Sequence, residues 1–144
     1  MGLSRGAIFN SFPDKWSIFY GLAVEDYDRF GQLWLDEGYG GGVRHMASED
    51  PDWLGVYLEL VRKLCTQPEL REQWTQRNPE LNEELRRRVA KLQERGELRN
   101  DLDADQIGRF LGLLTDGIAV QISSGFPIEI DPLLTLVGSA IGPQ

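Results

Sequence analysis

The sequence predicts an all-α protein built as a bundle of helices, and three observations support this prediction. Apolar residues recur at steps of three and four along almost every segment. No stretch alternates apolar and polar residues convincingly, as a half-buried β-strand would. Prolines and glycines stand where helices should start and stop, as Pro68 and Gly96 do. A chain of 144 residues is also long enough to bury a core.

The individual helices follow from this periodicity and from the residues that interrupt it. Pro79 should kink or split the segment that contains it, because a proline ring removes a backbone hydrogen bond and clashes with the preceding turn. The glycine-rich stretch 38–42 is expected to be a flexible break. The predicted helices after the N-terminal one are residues 13–37, 43–46, 51–66, 68–95, 101–124 and 132–141.

Residues 2–15 have the pattern of the second helix of a helix-turn-helix. Ser4 can cap the first turn of a short helix, in which Ile8 and Phe12 lie four residues apart on one face. Pro13 then ends this helix and suits the first turn of the next. A helix-turn-helix also needs a supporting helix, and none precedes this segment in the sequence. We therefore expect DNA binding to be impaired in the chain as it stands.

The charge balance limits where nucleic acid could bind. The net charge of −8 argues against a protein that contacts DNA along its whole length. Residues 1–15 carry two basic residues and one acidic residue, whereas residues 16–144 carry thirteen basic and twenty-two acidic residues. This division is compatible with DNA contacts at one tip, and equally with a body that never touches DNA.

Other residue types argue against several classes of protein. The single cysteine excludes an internal disulfide, and no signal peptide or membrane-spanning run is present, so we expect a cytoplasmic protein with no membrane partner. His45 is the only histidine, which disfavours metal sites of several histidines and Ser-His-Asp catalysis. We predict no enzyme activity, no cofactor and no metal.

The last two helices predict a homodimer. Their apolar surfaces are wider than one core contact requires, and a terminal helix that is apolar nearly all round needs burial on more than one side. A partner subunit would supply that burial. The predicted interface residues are Leu114, Ile118, Ile122, Leu133, Leu136 and Val137.

A ligand site is predicted around Arg88. This arginine has Leu81, Leu85 and Leu92 as neighbours on the helix surface, and a buried guanidinium needs an anion as its partner. A small organic acid would meet that need. An aromatic set could line the same pocket or simply fill the core, and helical spacing favours the core. Its members are Trp53, Tyr57, Trp74 and Phe110.

Residues 2–15 closely resemble the end of the DNA-binding domain of TetR-type repressors. In that family a Gly-hydrophobic-Ser turn leads into a short helix that is closed by Phe and followed by Lys. Further stretches look most like the actinobacterial repressors of the aconitase gene: residues 4–9, 58–60 and 63–64, Trp74 shortly after Pro68, and residues 116–117.

The resemblance implies a TetR-type fold with two parts. Residues 1–15 would be the remnant of the helix-turn-helix domain, and residues 16–144 the effector-binding and dimerisation domain. Arg5 would face base edges in the major groove, where its planar fork suits guanine. Phe9 stands where the family usually has tyrosine, so a hydroxyl contact to phosphate is lost. The residues assigned to DNA contact are Ser4, Arg5, Gly6, Ala7, Phe9, Asn10 and Lys15.

The function implied is that of a TetR-type transcriptional regulator, a repressor released from operator DNA by a small ligand. The likeness to aconitase-gene repressors suggests a tricarboxylate. The alternative is a helical dimer that binds a ligand or a partner but no operator, because its supporting helices are missing. A small helical enzyme has no paired catalytic groups to support it.

Overall fold

The structure, a computed structural model, describes residues 15–49 and 51–144, without the side chains of residues 51–54. This part of the chain forms six helices and contains no strand, which confirms the predicted all-α class. We number them α1 Lys15–Ala47, α2 Pro51–Thr66, α3 Pro68–Thr75, α4 Pro79–Glu94, α5 Ala104–Ser123 and α6 Ile130–Ile141. Within the described residues, no helix has the length and apolar character needed to cross a membrane.

The glycine-rich stretch interrupts α1 at one residue. Gly38 leaves helical geometry, with φ 81° and ψ 167°, and this produces a kink between two helical segments. Helical geometry resumes at residue 39 and continues to residue 47, so the predicted break at 38–42 is confirmed at Gly38 and is wrong for residues 39–42. Tertiary contact explains the continuation: Gly42 packs so closely against Phe30 that an added Cβ would lie 3.1 Å from its ring.

The split at Pro79 is confirmed. Helix α3 ends at Thr75, and α4 begins at Pro79 with Asn78 as its N-cap. The Asn78 side chain accepts a hydrogen bond from the Leu81 backbone N–H at 3.1 Å and donates one to Asp28 on α1 at 2.8 Å. This one residue therefore caps α4 and ties it to α1.

The core consists of three clusters, and α5 contributes to two of them. One joins the end of α1 to α5 and α6, a second joins the start of α1 to α2 and α3, and a third joins α4, α5 and α6. Helix α5 is therefore the central helix of the described bundle. Its start is fixed by a capping box between Asp103 and Gln106. The five most deeply buried large side chains are Leu60, Ile107, Leu111, Val43 and Val89.

The central position of α5 corrects part of the predicted interface. Ile118 and Val137 are only 3% and 5% exposed, because both pack into clusters within this one chain. Leu114, Ile122 and Leu133 are half-buried against the same clusters. Leu136, by contrast, is 68% exposed on α6, and Leu113, which the sequence analysis did not select, is 67% exposed on α5. Ile118 and Val137 are core residues of the subunit.

Candidate ligand-binding site

Two adjoining cavities lie inside the bundle, and α1 and α5 line both. The large cavity, between α1, α3, α4 and α5, offers about 420 Å³ to water-sized molecules. The small cavity, between α1, α2 and α5, offers about 90 Å³. Tyr27, Phe30 and Thr115 line both and form the wall between them. A ligand in either cavity would therefore touch α1, the helix that continues from the N-terminal segment.

Arg77 is the charged side chain of the large cavity that contacts two aromatic rings. Its guanidinium carbon lies 4.2 Å from the ring centroid of Tyr27 and 4.1 Å from that of Trp74. Its Nη1 donates to the Trp74 carbonyl at 2.7 Å, and the side chain is only 10% exposed. Cation–π contact and planar stacking both favour arginine over lysine at such a place.

Arg77 also faces a carboxylate without making a hydrogen bond to it. Its Nε lies 3.6 Å from Oδ1 of Asp28, which is an ion pair but too long for a hydrogen bond. Both atoms are buried and have no hydrogen-bond partner among the described residues. Buried polar atoms are usually satisfied. The Nε–H is therefore a donor that a ligand or a water could use.

Two further arginines give the large cavity a positive lining. Arg86 and Arg109 line this cavity, and Asp105 is the one acidic residue among its described lining residues. Arg86 is already held by Glu83, with bonds of 2.8 and 2.7 Å. Arg109 is exposed and makes no ion pair with any residue that the structure describes. The guanidinium groups suit an anion, because their planar forks match carboxylate geometry.

The small cavity is mainly apolar and holds one hydrogen-bonded pair at its inner wall. The Tyr57 hydroxyl donates to Asp116 Oδ1 at 2.7 Å. Burial raises the pKa of Asp116, and this effect outweighs the Tyr57 hydrogen bond and the charge of Arg77, both of which lower it. Burial and the Asp116 charge raise the pKa of the Tyr57 hydroxyl, so Tyr57 stays protonated and acts as donor.

A charged group closes the mouth of the small cavity. Arg29 on α1 donates to Asp26 at 3.1 Å and to Glu49, beyond the Gly38 kink, at 2.7 Å. His45 Nε2 lies 3.2 Å from the same Glu49 carboxylate. These contacts link the two halves of α1 across the kink.

The structure places the predicted ligand residues in different surroundings. Trp74 lines the large cavity and Tyr57 the small one. Arg88 is half-buried and Phe110 is exposed, and neither lines the large or the small cavity. On α4, Leu85 and Val89 are turned toward the large cavity instead of Arg88. The side chain of Trp53 lies outside the described residues.

Arg77 was missed by the sequence analysis. It stands in the short link between α3 and α4, so helical periodicity says nothing about its direction. A signal was present in the sequence nonetheless: an arginine three residues after a tryptophan and two before a helix-starting proline. Such a position brings the guanidinium over the preceding turn.

Of the predicted DNA contacts, only Lys15 falls within the described residues, where it is exposed at the start of α1. The others, Ser4, Arg5, Gly6, Ala7, Phe9 and Asn10, lie outside them. In the described part of the chain, no group of three or more His, Cys, Asp or Glu side chains could hold a metal ion.

Comparison with known proteins decides the family. Residues 45–137 match the model of the BetI-type transcriptional repressor C-terminal domain. The chain is 34% identical to the HTH-type transcriptional repressor Rv1474c of Mycobacterium tuberculosis, with 98% of this chain matching 77% of that protein. It is 35% identical to the HTH-type transcriptional repressor AcnR of Corynebacterium efficiens, with 97% of this chain matching 76% of that protein.

The chain belongs to the TetR family of transcriptional regulators. As a TetR-family member it is a regulator rather than an enzyme, which confirms that prediction. Repressors of this family bind operator DNA and dimerise. The residues of α2 to α5 that line the two cavities lie within the matched residues 45–137. The lining residues of α1 up to residue 44 precede the match.

Proposed function

We propose that this TetR-family protein is a cytoplasmic repressor that a small organic acid, bound in the large cavity, releases from operator DNA. The observation that carries the proposal is the positive lining of that cavity against α1. Arg77 and Arg109 supply donors for carboxylates, whereas Asp105 is the only acidic residue among the described residues of the lining. Arg77 already pairs with Asp28, but Arg109 has no ion-pair partner among the described residues, and an anionic ligand would supply one.

Helix α1 is the element through which the ligand would act on DNA. Four of its residues line the large cavity: Tyr27, Phe30, Gly31 and Trp34. Gly31 has no side chain, and an added Cβ would meet Leu81 of α4 at 2.9 Å, so α1 and α4 are in close contact there. A ligand that separates these helices would move the start of α1, which follows directly on the proposed reading helix.

The reading helix is proposed to contact DNA in two ways. Arg5, Gly6 and Ala7 face base edges, and Arg5 forms a bidentate contact with guanine. Ser4 caps the helix, while the other proposed residues lie along the sugar-phosphate backbone and fix the register. Those residues are Phe9, Asn10 and Lys15.

Dimerisation is proposed to use the exposed apolar face of α5 and α6. Leu113 and Leu136 are the most exposed large apolar side chains on this face, and Phe110 and Val120 extend it along α5. Leu114, Ile122 and Leu133 lie half-buried beside it. Association of two copies through this face would hold their two proposed reading helices at a fixed spacing. A change in α1 then changes that spacing.

Binding of di- and tricarboxylates tests the ligand part of the proposal. Calorimetry or thermal shift on the wild type should identify at least one acid that binds, because a ligand of the folded state raises the melting temperature. Arg109→Met should weaken that binding about tenfold or more, since a hydrogen bond to a charged group contributes about 1.5–3 kcal/mol. Arg88→Met is the matched control, because Arg88 lines neither cavity.

The two variants show whether Arg109 or Arg88 binds the acid. Equal loss in both variants, or loss in Arg88→Met alone, would contradict the assignment to the large cavity. A wild type that binds no acid would contradict the proposed class of effector.

A further inference from the structure

The small cavity has the opposite chemistry to the large one. Its walls are apolar and aromatic, formed by Phe30, Leu33, Met46, Val56 and the rings of two tyrosines. Those rings, Tyr27 and Tyr57, stack with their centroids 6.3 Å apart. Among the described lining residues, three carboxylates stand against one arginine and one histidine.

Two of the three carboxylates are already paired at the mouth of the cavity. Arg29 donates to Asp26 and to Glu49, and His45 lies beside Glu49. These four side chains form a charged group that is complete without a ligand. Their charges therefore do not decide what the cavity binds.

Asp116 is different, because no cation forms an ion pair with it. It makes no ion pair with any residue that the structure describes, and its partner is the neutral Tyr57 hydroxyl. The carboxylate lines the cavity together with Tyr27, Tyr57 and Thr115. Burial raises its pKa even though the Tyr57 hydrogen bond and the charge of Arg77 act in the opposite direction, so a cation beside it would be favoured.

We propose that the small cavity is a second ligand site, and that it binds a small organic cation with an apolar substituent. The ammonium group pairs with Asp116 and lies beside the stacked rings of Tyr27 and Tyr57, and the apolar part contacts Phe30, Leu33 and Val56. Rings with an adjacent carboxylate attract cations by cation–π contact and by charge. An anion is disfavoured there by the Asp116 carboxylate.

This inference goes beyond the proposed function, since it concerns another cavity and another class of ligand. The charges of the two cavities select different ligands. The arginines of the large cavity favour an acid, and Asp116 in the small cavity favours an amine. Tyr27 and Phe30 form the common wall, so both ligands contact the same turn of α1. The test requires neither DNA nor an organic acid, and the failure of either proposal leaves the other standing.

Calorimetric titration of the wild-type protein with benzylamine and with benzyl alcohol tests the site. The two probes have nearly the same size and differ in charge at neutral pH. We expect benzylamine to bind at least about tenfold more tightly, because the alcohol cannot form the charged hydrogen bond to Asp116. In Asp116→Asn the shape and the Tyr57 hydrogen bond are kept, and the preference for the amine should disappear. Asp105→Asn, which removes a carboxylate from the large cavity, should keep it.

Intermolecular NOEs locate the ligand without any substitution. Benzylamine should give NOEs to the ring protons of Tyr27 and Tyr57 in the wild type. The inference is overturned if benzylamine and benzyl alcohol bind equally, if neither binds, or if Asp116→Asn keeps the full preference for the amine. NOEs to Trp74 instead of the tyrosines would also overturn it, because they would place the amine in the large cavity.

Discussion

Arg77 lies over the indole ring of Trp74, 4.1 Å from its centroid, and donates a hydrogen bond to the carbonyl of the same residue at 2.7 Å. One side chain thus stacks on the last turn of α3 and satisfies a carbonyl at its end. The guanidinium carbon is also 4.2 Å from the ring centroid of Tyr27 on α1, and that ring is nearly perpendicular to the Trp74 indole. Arg77 therefore connects α3 to α1 at the edge of the large cavity.

We predict that Arg77→Lys lowers the free energy of unfolding by about 1–3 kcal/mol, because lysine has no planar group that can contact both rings while it donates to the Trp74 carbonyl. Urea denaturation followed by far-UV circular dichroism measures this change. The matched control is Arg88→Lys, which should change stability by less than about 0.5 kcal/mol, since Arg88 has no such contacts. Equal effects of the two substitutions would show that the stacking contributes nothing.

We predict that a negative charge on the exposed face of α5 and α6 prevents dimerisation. Leu136→Glu and Leu113→Glu should be monomers at micromolar concentration, whereas the wild type should be a dimer, because a carboxylate buried in an apolar interface has no partner. Analytical ultracentrifugation measures the mass of each. Gln73→Glu, on an exposed position of α3, adds the same charge and should remain a dimer. A monomeric wild type would contradict this prediction.

Asp116→Asn should change the pH dependence of stability in a defined direction. Burial raises the pKa of Asp116, so protonation favours the folded state, and the wild type loses that contribution as pH rises through the raised value. The stability of Asp116→Asn relative to the wild type should therefore be greatest near neutral pH and decline as the pH falls toward the ordinary carboxyl range.

Asp101→Asn is the control with the opposite sign. Hydrogen bonds from Arg99 hold the pKa of Asp101 below its usual value, so the wild type is favoured at neutral pH and loses this advantage as the pH falls through the lowered value. Thermal melts of the three proteins between neutral and acidic pH measure both effects. The same trend in both variants would contradict the assignment for Asp116.

Two glycines of α1 should respond to alanine in opposite directions. Gly38 has φ 81°, which is unfavourable for any residue with a Cβ, so Gly38→Ala should destabilise the fold by about 1 kcal/mol or more. Gly21 is helical and has open space around it, so Gly21→Ala should stabilise the fold by about 0.5–1 kcal/mol. Denaturant midpoints measure both. Stabilisation by Gly38→Ala would show that the kink is not required.

The helices could largely be predicted from the sequence, because their boundaries depend on local chemistry. Pro79 separates α3 from α4, and the apolar stripe of α2 matches its observed bounds. The predicted break at residues 38–42 is confined to Gly38, because a tertiary contact, Gly42 against Phe30, supports the helix beyond it. No local sequence pattern reveals that these two residues are in contact.

The candidate site was harder to predict, because it depends on which helices are neighbours. Arg88 has three leucines around it on its own helix, and two of them, Leu81 and Leu85, line the large cavity, but Arg88 itself does not. Arg77 lies in a link with no periodicity, and its contact with Tyr27 appears only once α3 is placed on α1. Ile118 was assigned to an interface because α5 was not expected to be central.

The most direct test of the central claim is the release of operator DNA by an acid that occupies the large cavity. Duplexes that the protein selects from a random-sequence pool, followed by fluorescence anisotropy, give the affinity with and without the acid that binds best in calorimetry. We predict that the acid weakens binding of wild-type protein at least about fivefold, a typical allosteric coupling. At the same acid concentration, Arg109→Met should retain its DNA, and Arg88→Met should behave as the wild type. Operator binding that is unchanged by the acid, or release from Arg109→Met equal to that from the wild type, would contradict the account.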